Sequence, residues 1–329
     1  MKLVIGADVS KKKLNISEYD GKNHKLKVIL NKNSDIERFL KKYDKGKKDL
    51  LFVMEATGIY HLQLANILYE RGFLVSVVNP LIIKRYAEMK MLRAKTDKVD
   101  AKVIAQYGYE QDVKLFQPRS KKRQRIIKIL KAIEDLTVSK NNYLNRLGAL
   151  DKDPLKERSV EECFNKLISE LNISIKRLEE ELKNLINKHY LNEYSRLLSI
   201  SGVGPKTAII IIAFFGRFED FKNSKQVVSY IGTNPSPKES GSSLRGRGRI
   251  SQKGNSYLRK QLFMTSLSAM QHNNACRNMY ERLSLKGKEH KVLRVAVLNK
   301  LVRQIFVVLK YDRKYDPNYE EKFTSFAYC

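Results

Sequence analysis

Four carboxylates sit where an apolar sequence would not otherwise place them. Asp8 follows the run Val4-Ile5-Gly6-Ala7, and Glu55 follows Leu50 to Met54. Asp97 and Asp100 lie three apart in TDKVDAKVIA. An apolar run of this kind reads as a buried strand, and an acid at its end is costly without a cation or hydrogen-bond partner. Positions 97, 100 and 104 share one face of a helix that Thr96 can cap, so the two aspartates project together. The plainer reading of that pair is acids complementing a helix dipole. Taken as a set, the four could hold two divalent cations about 4 Å apart, one activating an attacking oxygen and the other steadying a leaving one. Oxygen ligands favour magnesium or manganese over zinc. The chemistry is phosphoryl transfer.

Such a set needs a rigid frame, and residues 1–115 read as one α/β unit. The first strand turns at Ser10-Lys11-Lys12 and returns through Leu14 to Ser17, and a third strand spans Lys25 to Leu30. Ile36, Phe39 and Leu40 fit a short helix. Leu50 to Met54 and Leu74 to Val78 are further strands, separated by a helix from Tyr60 to Arg71. Helices at Ile82 to Leu92 and Thr96 to Tyr107 complete a mixed sheet with helices packed on it. His61 reads as a packing or surface residue of its helix.

Residues 116–192 lack strand signal. Phe164, Ile168, Leu171, Ile175, Leu178, Leu182 and Leu185 alternate at four and three, a coiled-coil seam for a partner helix in the same chain or in a second subunit. Residues 193–329 are mostly helical again. There, Tyr257, Phe263 and Met264 read as core, and 232–255 (GTNPSPKESGSSLRGRGRISQKGN) reads as a polar loop rich in Gly, Ser and Arg.

Composition narrows the partners. The 329 residues carry 64 Lys plus Arg against 35 Asp plus Glu, a net charge of +29. That excess points to a polyanion, nucleic acid before a membrane surface. No apolar run approaches the ~20 residues of a spanning helix, so no membrane partner is expected. Three scattered cysteines (Cys163, Cys276, Cys329) fit a reducing, cytoplasmic setting and no zinc module. Arg119, Lys121, Lys122, Arg123 and Arg125 form the densest basic cluster, and Lys11 and Lys12 stand beside Asp8. Ser201-Gly202-Val203-Gly204-Pro205-Lys206 is similar to a helix–hairpin–helix turn, in which Gly202, Gly204 and Lys206 would meet a phosphate. Arg245, Arg247, Arg249 and Lys253 are further candidate phosphate contacts.

GADVSKKKLNISEYD, VMEATGIYH and LRAKTDKVDAKVIAQY together resemble the amino-terminal catalytic domain of DEDD-type insertion-sequence transposases, insertion-sequence family 110. LLSISGVGPKTA and YIGTNPSPKESGSSLRGRGRISQKGNSYLRKQLFMTS resemble that family's carboxy-terminal domain. The resemblance implies a ribonuclease H-like, Holliday-junction-resolvase-like fold with Asp8, Glu55, Asp97 and Asp100 as the four acids. It also implies a nucleophilic serine, Ser240, with Ser242, Ser243 and Ser251 as neighbours that could take its place. A phosphoserine intermediate, a structured guide RNA, DNA at element ends and target, and a dimer or tetramer are implied as well. Two rivals remain at this point. One is a metal-dependent, junction-selective endonuclease without a covalent intermediate. The other is a catalytically silent binding protein, which the acids disfavour because each weakens phosphate binding unless a cation covers it.

Overall fold

Side-chain alternation in the first strand decides the architecture of the amino-terminal unit. The computed structural model describes residues 3–44, 49–91, 97–153, 155, 157–240, 244–251 and 253–317, and leaves the side chains of 97–98, 237–240 and 244–249 outside the description. Strand β1 (Leu3–Val9) turns into β2 (Lys13–Tyr19), and β3 (His24–Leu30) follows. Ser10 closes the turn: its Oγ accepts from the Lys13 amide at 3.1 Å and donates to the Lys13 carbonyl at 2.8 Å. Strands β4 (Leu50–Glu55) and β5 (Leu74–Val78) join the other flank of β1. The order is β3-β2-β1-β4-β5, antiparallel among the first three strands and parallel from β1 through β4 to β5. That is the ribonuclease H-like sheet. Its parallel neighbours need crossovers, which α1 (Asn33–Leu40) and α2 (His61–Glu70) supply.

Successive residues of β1 feed opposite cores. Ile5, Ala7 and Val9 join Phe52, Met54, Ile36, Phe39, Leu64 and Leu68 on the α1–α2 side. Val4 joins Leu51 and Val53 on the other, beneath Ile83 and Tyr86 of α3 (Pro80–Met89) and Val103 and Ile104 of α4 (Asp97–Glu110). Each fully buried Leu or Ile contributes on the order of 1.5–3 kcal/mol, which fixes the register against a one-residue slip. Helix α3 starts two residues earlier than its apolar pattern suggests. Asn79 Oδ1 caps it by accepting from the Leu81 amide at 2.9 Å, and Pro80 takes the first helical position.

The second unit begins at Ser120. Helices α5 (Lys121–Leu150) and α6 (Arg158–His189) pair antiparallel within the chain. Arg125 bonds Glu181 at 2.6 Å near one end, and the Tyr143 and Phe164 rings lie 5.5 Å apart near the other. The predicted seam is therefore occupied intramolecularly, with Ile175 and Leu182 buried along it. This hairpin is not a separate body. Ile126, Ile129, Leu130, Leu182 and Ile186 enter one core with Leu197 of α7 (Leu191–Leu198), Ile211 and Phe215 of α8 (Pro205–Phe215), Val227 of α9 (Ser224–Ile231), and Leu301 and Ile305 of α12 (His290–Lys310).

Two expectations need correction here. The stretch 232–255 is not a plain loop. It contains an antiparallel ribbon, β6 (Pro235–Ser240) and β7 (Leu244–Ile250), with an irregularity between Ser236 and Lys238. Backbone pairing needs no apolar side chains, and the base is pinned by Asn234: its carbonyl accepts from the Ser251 amide at 3.0 Å, and its Oδ1 from the Ser251 Oγ at 2.8 Å. Met264 is not core but 58% exposed, because Leu258, Leu262 and Ala269 form the buried face of α10 (Ser256–His272). Among the described residues no helix is long and apolar enough to cross a membrane.

Candidate active site

Asp8 and Glu55 end adjacent parallel strands. The β1–β4 register pairs Gly6 with Val53 and Ala7 with Met54, so the next step along both strands sets Asp8 beside Glu55. Both belong to the alternation set that faces α3 and α4, and both are half-buried. The third acid arrives on α4. Ala101, Ala105 and Gly108 make a small-residue stripe that lets this helix lie on the sheet almost backbone to backbone. A Cβ built on Gly6 would stand 2.4 Å from the Ala101 carbonyl oxygen and 2.4 Å from the Ala105 nitrogen. One built on Gly108 would stand 2.4 Å from Val53 Cγ2 and 3.0 Å from Val4 Cγ1. Helix α4 therefore runs opposite to β1, and its first residues come to the sheet end that carries Asp8 and Glu55. The Asp100 backbone, next to Ala101, therefore lies toward that same sheet end. The Asp97 backbone starts the same helix one turn earlier, and its side chain lies outside the described residues. Among the described residues no three acids, histidines or cysteines gather as closely as a metal ion requires.

Sequence reasoning missed one residue here. Asn15 stands opposite Asp8 in the hairpin, is 8% exposed, and donates from Nδ2 to Asp8 Oδ2 at 3.4 Å. Its signal is an amide within the buried run Leu14-Asn15-Ile16. We expect Asn15→Leu to lower strand-cutting activity about tenfold, because a half-buried carboxylate loses the donor that orients it. Metal titration of the rate checks this: an orienting role raises the metal concentration needed, whereas a purely structural role lowers the melting temperature alone. His61 is buried, with Nδ1 lacking a partner among the described residues; burial lowers its pKa against the pull of the Thr57 carbonyl and keeps the ring neutral.

Residues 5–150 match a DEDD transposase family of the IS110 type, and residues 194–281 match the transposase IS116/IS110/IS902 family. A pilin gene-inverting protein of Moraxella bovis is 31% identical over 283 residues, covering 83% of this chain and 84% of that protein. Its counterpart in Moraxella lacunata matches to the same extent. This chain belongs to the IS116/IS110/IS902 transposase family. It is an enzyme of phosphoryl transfer on DNA. A probable family 20 transposase of Pseudomonas aeruginosa is 22% identical and spans 95% of this chain and 98% of its own length. A Thermus thermophilus RuvC in complex with Holliday junction substrate aligns over 35% of this chain and 100% of its own at 13% identity and a TM-score of 0.28, so the fold is read from the strand order itself.

The transposase distributes its expected phosphate contacts unevenly. Lys11 and Lys12 are exposed in the turn two to four residues past Asp8. Lys121 and Lys122 are exposed at the start of α5, just after Arg119. Arg123 is a correction: it is an internal strut, donating from Nε to the Ala213 carbonyl at 3.2 Å and facing Glu219 at 3.9 Å. Arg125 is committed to Glu181 at 2.6 Å. Gly202 is required by packing, since at φ +89° a Cβ would meet Ala269 Cα at 2.6 Å. Gly204 precedes the first turn of α8, and Lys206 is exposed in that turn. Ser240 ends β6 and pairs with Leu244; Arg245, Arg247 and Arg249 lie along β7, and Lys253 is exposed beyond it. Ser242 and Ser243 fall outside the described residues, and Ser251 is tied to Asn234.

Proposed function

We propose that this transposase cuts DNA strands by metal-assisted phosphoryl transfer at the sheet end shared by β1 and β4, with Asp8, Glu55, Asp97 and Asp100 as ligands. One observation supports the reading: the α4 backbone is seated on Gly6, so that helix starts at the sheet end where Asp8 and Glu55 lie. The donor set is wholly carboxylate oxygen, and Asp8 accepts a hydrogen bond from the neutral Asn15 amide, so the fit is to magnesium or manganese. A cation held there supplies an activated attacking oxygen and neutralises charge on the scissile phosphate. Asn15 orients Asp8, and Lys11 and Lys12 bind the flanking DNA backbone. The half-buried setting of Asp8, Glu55 and Asp100 strengthens their pull on the cation.

A finer reading adds covalent chemistry. Ser240 lies on a ribbon inside the segment that matches the transposase family, and cutting by the acids alone leaves that ribbon without a task. In this reading the Ser240 Oγ loses its proton and attacks phosphorus, the DNA oxygen leaves with a proton, and one phosphodiester is exchanged for another. A DNA hydroxyl later attacks the phosphoserine and frees the serine. Guidance by a structured RNA and assembly of several subunits rest on the family resemblance.

The test uses purified protein, magnesium and end-labelled four-way-junction DNA, with and without RNA transcribed from the element's flank, on a denaturing gel. Metal-dependent cutting is expected, with a protein–DNA adduct that Ser240→Ala removes. Cutting with no adduct leaves a metal-dependent junction endonuclease and ends the serine reading. DNA left intact with magnesium, with manganese and with the RNA ends both.

A further inference from the structure

The carboxy-terminal unit contains a cavity of about 480 Å³ between α11 (Asn274–Ser284), α12 and the segment that follows α12. Its size is that of a small-ligand site, which spans roughly 300–1,000 Å³. Four cations line it (Lys300, Arg303, Arg313 and Lys314) against one carboxylate, Asp316. Arg303, Arg313 and Lys314 have no ion-pair partner among the described residues. Lys300 is half-buried, and its pKa is lowered by burial and by the nearby Arg303 and Arg282 charges. A site that crowds positive charge in this way is stabilised by an anion.

The remaining lining is apolar or aromatic, with Val307, Val308, Tyr311 and Tyr315. Gln304 of the lining is held in place: its Oε1 accepts from Nδ2 of the fully buried Asn273, which also donates to the Ser201 carbonyl, both at 2.9 Å. The cavity wall is thus tied to the Ser201–Gly204 turn. A bare inorganic anion would use the cations and leave the apolar lining unfilled. An apolar ligand would bury the cations without compensation. A nucleotide satisfies both halves, since every base has a face that stacks on an aromatic ring and every phosphate meets guanidinium or ammonium.

We propose that this cavity receives one unstacked nucleotide of a single strand, its base against Tyr311, Tyr315 and Val307 and its phosphate on Arg303 and Lys314. The proposal rests on the chain acting on nucleic acid, but it is tested by equilibrium binding, so loss of cutting does not bear on it. The full chain has no tryptophan, so the fluorescence of a single 2-aminopurine can be read cleanly. The probes are a 12-nucleotide DNA strand with one 2-aminopurine, its RNA equivalent, the same DNA strand with an abasic site there, and free dAMP. Removing two cations in Arg303→Ala/Lys314→Ala is expected to weaken strand binding about tenfold and to flatten its salt dependence. Val307→Phe fills the cavity from a position that is 38% exposed, so the fold tolerates it, and it keeps the chain free of tryptophan. It is expected to cost about tenfold for the base-bearing strand and nothing further for the abasic one. The DNA and RNA arms show which strand is preferred. Wild-type affinity in both variants at unchanged melting temperature overturns the proposal. So does an equal loss for base-bearing and abasic strands, binding of dAMP as tight as that of the strand, or displacement only by an acidic, tyrosine-rich peptide.

Discussion

Asp8→Asn is expected to reduce metal-dependent DNA cutting about a thousandfold while the protein still folds. The substitution keeps the volume of a half-buried side chain and can still accept from Asn15, so the hairpin has little reason to move. What it removes is one negative charge beside Glu55, and a neutral amide cannot balance a divalent cation in a partly dry site. Thermal melting separates charge from structure. A ligand at a hundred times its Kd stabilises the native state by about 2.7 kcal/mol, which is several degrees for a unit of this size. Magnesium should raise the wild-type melting temperature accordingly and leave Asp8→Asn unmoved. Glu55→Gln and Asp100→Asn should behave alike if, as proposed, all three acids hold one ion set. A variant that cuts within tenfold of wild type, with its magnesium shift intact, would place the reaction elsewhere.

The strand acids were legible because an apolar run that stops at a carboxylate violates the burial pattern in one residue. Asn15 was not, because a polar residue in a strand of period two looks solvent-facing; only the arrival of α4 over β2 makes that face interior. The heptad seam could be read from spacing, yet spacing carries no information about whether the partner helix belongs to the same chain. Tyr143 against Phe164 supplies it. The ribbon at 235–250 escaped because Pro, Gly and Ser have poor strand propensity and the pairing is held by Asn234 and Ser251 at its base. Arg123 illustrates the limit for charge: five basic residues within seven positions read as one surface, but a helix turns those it contains in different directions, and one faces the α8 carboxyl end instead of solvent. Gly6 gave the weakest signal of all, since glycine inside a strand normally marks only weakness or a bulge.

Gly6→Ala should damage the enzyme more than its stability alone would suggest. The added methyl would lie 2.4 Å from two backbone atoms of α4, the Ala101 carbonyl oxygen and the Ala105 nitrogen. No rotamer change relieves a clash with backbone, so helix and strand must part. Ala101, Ile104 and Ala105 of that helix are fully buried, and overpacking of this kind costs roughly 1–3 kcal/mol. The activity loss compounds it. Asp100 adjoins the displaced carbonyl, and a shift of about 1 Å in a catalytic group can cost a hundredfold in rate. Gly148→Ala is the matched control: it lies inside α5 with nothing within 4 Å of its added Cβ, so it should raise stability by up to about 1 kcal/mol and leave the rate unchanged. Rates measured well below the melting transition, at saturating magnesium, distinguish the two effects. A Gly6→Ala protein that is fully folded yet cuts about a hundredfold more slowly shows that close approach of α4, and not the acids alone, assembles the site. If it cuts at the wild-type rate, Asp100 does not depend on that contact, and the strand acids must recruit their partners in another way.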